Sequence, residues 1–252
     1  MSQIKLLVTD FDGTLVDTFE ANFLAYQKAF SQYGLNLTEQ QYKDCFGFRF
    51  DDFMEHMGIS NTVIKQGIRK AKGDCYPLFF DKLKVNHSLL SMLKSFKQAG
   101  GLTAVASTAR KKNLMNALEH IGALEAFTLI IAGEDVEHGK PNPEIYNKVL
   151  EKLNIQPGEA LVFEDSPVGI GAAVAANLSY VQITKDYFYG EIQVKGHSGC
   201  QIDIVNDGNN LYIYKSTHDL NISIASTCKL KKQQEACRRA FISIYVFQKS
   251  LR

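Results

Sequence analysis

Leu6-Leu7-Val8-Thr9 is a short apolar run that ends on two acids in Asp10-Phe11-Asp12-Gly13-Thr14, and the pattern predicts a buried strand over residues 4–9. A helical period follows: Phe19, Phe23, Tyr26, Gln27 and Phe30 share one face, and Gly34 is placed to end that helix. Phe46-Gly47-Phe48-Arg49 interrupts the period before Phe50, Phe53, Met54 and Met57 resume it. From about Leu83 the pattern changes to short apolar strands alternating with helices. It predicts helices over Ser88–Ala99, Lys111–His120, Glu144–Leu153 and Val168–Ala176. The strands predicted between them are Leu102–Ala106, Leu129–Ala132, Ala160–Phe163 and Tyr180–Ile183. Such alternation is the mark of an α/β fold, a Rossmann-like doubly wound parallel sheet.

The expected organisation is a core from residues 1–17 and 83–184, with an inserted helical cap at 18–82. A third piece, 185–252, has a different pattern. Ile192-Gln193-Val194 and Ile202-Asp203-Ile204-Val205 alternate strictly, and Asn206-Asp207-Gly208 is a hairpin-type turn. Leu211–Tyr214 reads as a further strand and Leu230–Phe241 as a helix, which makes this piece small, β-rich and antiparallel.

Composition narrows the classes of function. Apolar residues at 45% and charged residues at 22% suit a chain that buries an ordinary core. A net charge of +1 argues against nucleic acid or an anionic membrane as partner. No apolar run reaches the about 18 residues of a membrane span, and Asp10 and Asp12 break the only apolar stretch near the N-terminus. The five cysteines are odd in number and spread out, which reads as reduced thiols in a cytoplasmic protein. The six histidines show no metal-binding spacing.

The chemistry starts at Asp10 and Asp12. Two residues apart on an extended chain, they face one side, just beyond the carboxyl end of a strand, where open α/β sheets bind ligands. Like charges held that close require a cation or a shared proton. Three other stretches end strands or stiffen loops with suitable groups: Ser107-Thr108, Gly139-Lys140-Pro141-Asn142-Pro143 and Glu164-Asp165. Magnesium favours oxygen ligands of this kind.

Asp10-Phe11-Asp12-Gly13-Thr14, taken with those three stretches in that order, resembles the haloacid dehalogenase-like hydrolases over about residues 1–184. The similarity is greatest to the subgroup with a small helical cap, which holds β-phosphoglucomutases, phosphoglycolate phosphatases and sugar-phosphate phosphatases. The resemblance implies a Mg2+-dependent phosphatase acting on a small phosphorylated metabolite through an aspartyl-phosphate. Asp10 is then the nucleophile and Asp12 the general acid–base, oriented by a hydrogen bond from Thr14. Thr14, Ser107, Thr108, Lys140 and the cap residue Arg49 are implied at the substrate or phosphate. Asp10, Asp12 through its backbone carbonyl, Glu164 and Asp165 are implied at the metal.

The alternative is a phosphomutase. Its pattern has a Thr followed four residues later by His, and here Thr18 matches but Asn22 does not. Lys72 falls near a further cationic position of mutase caps. In residues 185–252, Gly196-His197-Ser198-Gly199, Lys215 and Glu235 resemble the start of the small lobe of aminoglycoside- or choline-kinase-like enzymes. The expectation there is the hydrolase half of a longer fusion, or an appendage contacting another subunit.

Overall fold

The computed structural model describes residues 4–183, 201–206 and 211–216. Strand β1 (Leu6–Thr9) is buried along its whole length, as an uninterrupted apolar run requires when both faces of a sheet are covered. It lies at the centre of a five-stranded sheet with β4 (Leu102–Ala106), β5 (Leu129–Ile131), β6 (Ala160–Glu164) and β7 (Ser179–Gln182). The order is β5-β4-β1-β6-β7, every pair parallel. The register sets Leu6 beside both Leu102 and Ala160, so β1, β4 and β6 finish side by side.

Alternation along β1 divides the core. Leu7 joins Val105, Leu161 and Phe163 on one face, under helices α5 (His87–Gln98) and α6 (Lys111–His120). Leu6 and Val8 join Ala104 and Val162 on the other, under α7 (Glu144–Leu153) and α8 (Pro167–Ala175). Helices on both faces make the sheet doubly wound, as the alternation implied.

Between β1 and α5 the chain forms a helical insert. Two short strands, β2 (Val16–Asp17) and β3 (Lys84–Val85), pair antiparallel at its base. Two residues each are too short to leave a periodic signal, and neither strand was expected. Above them stand α1 (Phe19–Ser31), α2 (Glu39–Asp44), α3 (Phe50–His56), α4 (Thr62–Cys75) and a 3₁₀ turn at Tyr76–Lys82. The break at Phe46–Arg49 is real, and Gly47 there has φ +94, a conformation open to glycine. The insert has its own apolar cluster, in which the Phe53 ring centre lies 5.8 Å from those of both Phe30 and Tyr42.

The alternating residues at 201–206 and 211–216 form β8 (Gln201–Asn206) and β9 (Leu211–Ser216), which pair antiparallel. The strand at 192–194, the glycine turn at 196–199, the turn residues after Asn206 and the helix carrying Glu235 lie outside the described residues. Among the described residues no helix is long and apolar enough to cross a membrane.

Candidate active site

Parallel strands that end together bring distant residues to one edge. Asp10 follows β1, Ser107 follows β4, and Glu164-Asp165 closes β6. Lys140 reaches the same place from the loop before α7. Its ammonium lies 2.6 Å from Asp10 Oδ1 and 2.5 Å from Glu164 Oε1, and donates also to the Ala106 carbonyl at 3.1 Å. The three side chains are nearly dry, with exposures of 5% for Lys140, 11% for Asp10 and 0% for Glu164.

Burial drives the electrostatics. It pushes the Asp10 carboxyl up, with Lys140 opposing and Glu164, Asp165 and Asp12 adding to the rise. Burial would lower Lys140, but the Asp10 and Glu164 carboxylates outweigh it and hold the ammonium above its usual range. Asp165 is pushed to about 6 by burial and by Glu164, against the hydrogen bond from Thr14. Three carboxylates facing one ammonium leave an excess of negative charge, which a divalent cation would neutralise.

The geometry suits such a cation. Asp10, Glu164 and Asp165 each bring a carboxylate oxygen within 4.8 Å of the others. Asp165 Oδ2 lies against the Gly13 backbone, where a β-carbon would stand 2.2 Å away; Gly13 also has φ +90. Glycine is therefore required twice over at this turn.

Asp12 is held separately. Its Oδ1 accepts from Thr18 Oγ1 at 2.6 Å and Asn22 Nδ2 at 3.3 Å, both from the start of the insert. Its Oδ2 accepts from Ser107 Oγ at 3.4 Å, while Ser107 itself accepts from the Ala109 amide at 3.0 Å. Asn22, which departs from the mutase pattern, still bonds the carboxylate, but as a neutral amide that cannot exchange a proton.

Some expectations change. Thr14 does not orient Asp12: it is fully buried and donates to Asp165 Oδ1 at 2.9 Å, so its hydroxyl is committed to an acid rather than turned toward a phosphate. The Asp12 side chain is not among the three clustered carboxylates, and the atom expected at the metal there is its backbone carbonyl rather than its carboxylate. Thr108 is exposed, and its carbonyl lies against Gly133. Arg49 reaches across from the insert, its guanidinium lying where a β-carbon on Gly139 would be 2.7 Å away, next to Lys140. Lys72 is half-buried, 4.1 Å from the Tyr76 ring centre and 5.3 Å from that of Tyr26. Burial lowers its ammonium to about 8, with Arg110 adding and Asp12 opposing.

Tyr146 went unread. It lies on the buried face of α7 with Ile145, Val149 and Leu150, and its hydroxyl donates to Glu164 Oε1 at 2.8 Å. The available signal was a tyrosine on an apolar helix face, since a buried phenol needs a partner.

The haloacid dehalogenase-like hydrolase family matches residues 7–183, so the chain belongs to that family. It is 29% identical over 184 residues to a phosphorylated carbohydrates phosphatase of Thermotoga maritima, covering 71% of this chain and 84% of that protein. It is 28% identical over 200 residues to a phosphoglycolate phosphatase of Vibrio vulnificus, covering 75% and 87%. Among solved structures it resembles CbbY of Rhodobacter sphaeroides in complex with phosphate, with a TM-score of 0.67 and 25% identity, covering 73% and 88%.

Proposed function

We propose that this haloacid dehalogenase-like hydrolase is a phosphatase that hydrolyses a small phosphorylated metabolite, a sugar phosphate or similar, through an aspartyl-phosphate at Asp10. The observation that carries this reading is the Asp10–Lys140–Glu164 cluster at the ends of β1 and β6, with Asp12 held apart on its own donors. The names of the Thermotoga and Vibrio relatives support the substrate class.

Mg2+ is the proposed cation, held by Asp10 and Asp165, with the Asp12 carbonyl as the resemblance implies. When bound it supplies charge neutralisation at the phosphoryl oxygens. Asp10 attacks phosphorus to form an acyl-phosphate. Lys140 offsets the charge shared by the carboxylate and the phosphoryl group, and Ser107 lies on the same edge to donate to it. Asp12 protonates the leaving oxygen and later takes a proton from the attacking water. Its anchoring by Thr18 and Asn22 ties that acid to the first turn of α1, so movement of the helical insert, acting as a cap, is coupled to its position. Arg49, whose guanidinium lies beside Gly139, and Lys72, over the Tyr26 and Tyr76 rings, are proposed to meet the leaving group.

A panel of phosphorylated metabolites assayed with the wild type and Asp10→Asn tests the proposal. Phosphate release by the wild type and none by the variant is the expected result. Equal rates in both would remove Asp10 as nucleophile. Isomerisation of a hexose 1-phosphate in the presence of a bisphosphate activator would instead favour the mutase reading.

A further inference from the structure

The structure assigns Glu164 as a clamp for Lys140 rather than a direct ligand of the cation, and Tyr146 as the positioning residue that fixes the clamp. This inference rests on the phosphatase reading above, in which neither Glu164 nor Tyr146 carries out a chemical step.

A carboxylate offers about four lone-pair directions. Glu164 meets five donors. Lys140 at 2.5 Å and Tyr146 at 2.8 Å share Oε1. The Asp165 amide at 3.1 Å, the Ser166 amide at 3.4 Å and the Ser166 hydroxyl at 3.3 Å share Oε2. A cation could bind only by displacing one of them. Asp165 differs, because its Oδ1 accepts from Thr14 while Oδ2 lies over the Gly13 turn.

The backbone of α8 closes the other side. A β-carbon on Gly169 would stand 1.9 Å from Glu164 Oε1 and 2.0 Å from its Cδ, so the helix's first turn packs on the carboxylate itself. Ser166 links the two, accepting from the Gly169 amide at 3.1 Å while donating to Glu164. The carboxylate is thus seated in the start of α8 and presents its occupied edge to Lys140.

Tyr146 serves the same ammonium twice. Its hydroxyl holds Glu164 Oε1, and its ring lies 5.1 Å from Lys140 Nζ. Removing the hydroxyl alone leaves the ring contact and the packing of α7 in place. Glu164 then loses the donor that fixes the oxygen nearest Lys140, and the ammonium loses its register against Asp10.

The test uses the full chain stripped of metal, with three readouts. These are Mg2+ affinity by calorimetry, inhibition by inorganic phosphate, and kcat and KM on para-nitrophenyl phosphate with saturating Mg2+. For Tyr146→Phe the expected result is a loss of about tenfold in kcat and weaker phosphate inhibition, with Mg2+ affinity within about twofold of wild type. Glu164→Gln is expected to keep Mg2+ affinity within about threefold while phosphate inhibition weakens by about tenfold or more. Asp165→Asn gives the scale of a true ligand loss.

Two results overturn the inference: Glu164→Gln weakening Mg2+ as much as Asp165→Asn does, or Tyr146→Phe leaving kcat and phosphate inhibition unchanged. Should Glu164→Gln not fold, Tyr146→Phe decides the matter by itself. A wild type that binds Mg2+ and phosphate and turns over shows the phosphatase reading intact whichever way the variants fall. A wild type that does none of these removes both.

Discussion

Replacing Lys140 with methionine keeps the length of the side chain and deletes its charge. The ammonium is the common partner of two buried carboxylates, at 2.6 Å and 2.5 Å, with exposures of 5% for the lysine and 11% and 0% for the acids. Breaking a pair this dry by removing one member costs about 3–5 kcal/mol, because the remaining charge cannot return to water. Two effects limit the loss. Tyr146 continues to donate to Glu164, and Asp10, already pushed up by burial, takes a proton more readily once its cation has gone. A carboxyl raised in the folded state binds more protons folded than unfolded, so stability falls as pH rises. The deficit of Lys140→Met is therefore largest near neutrality and shrinks toward acid. Urea denaturation with a chelator present, at about pH 7.5 and about pH 5, measures both points, and a loss near 3–5 kcal/mol is expected at the higher pH. The same variant should lose about 10²–10³-fold in kcat, the scale of removing one group aimed at the developing charge. A loss below about 1 kcal/mol at neutral pH, with no narrowing in acid, would falsify the reasoning that this ion pair is buried and charged.

Asp10→Asn should abolish turnover by on the order of 10⁴-fold or more, measured as phosphate release, since the amide cannot attack phosphorus. Asp165→Asn should weaken Mg2+ by at least about tenfold in calorimetry, and equal affinity would remove Asp165 from the cation site. Lys72 titrates at about 8 in the folded chain against an ordinary 10.5, so the folded state holds fewer protons between those values. Its burden on stability is complete below pH 8 and is relieved as pH climbs to 10.5. Wild type should thus gain on Lys72→Met between about pH 7.5 and about pH 9.5 in denaturant titrations, and parallel curves would show the ammonium to be solvated.

Much of the core was legible because its signals are local. Helices α6 and α7 and strand β4 were read from periodicity with the bounds they have in the structure, since strongly amphipathic helices and apolar strands each carry one dominant period. The ends of β1, β4 and β6 were legible as places for chemistry, because acids and hydroxyls closing apolar runs stand out against them. Bonds across the fold left no such mark. Thr14 is two residues from Asp12 and 151 residues from Asp165, yet the threonine serves the distant acid. Nothing in the spacing of Asp10-x-Asp12-x-Thr14 distinguishes that outcome from a bond to Asp12.

The chain by itself determined the α/β alternation, the helical insert, and the four stretches that bear acids, hydroxyl and ammonium, because each depends on period or composition over a few neighbours. Tertiary structure alone decided who partners whom at the site. Lys140 chose both Asp10 and Glu164, Tyr146 chose Glu164 from a neighbouring helix, and Asn22 chose Asp12 across the base of the insert. Hydrogen bonds act over about 3 Å, and which groups come that close is set by strand order and register rather than by separation along the chain.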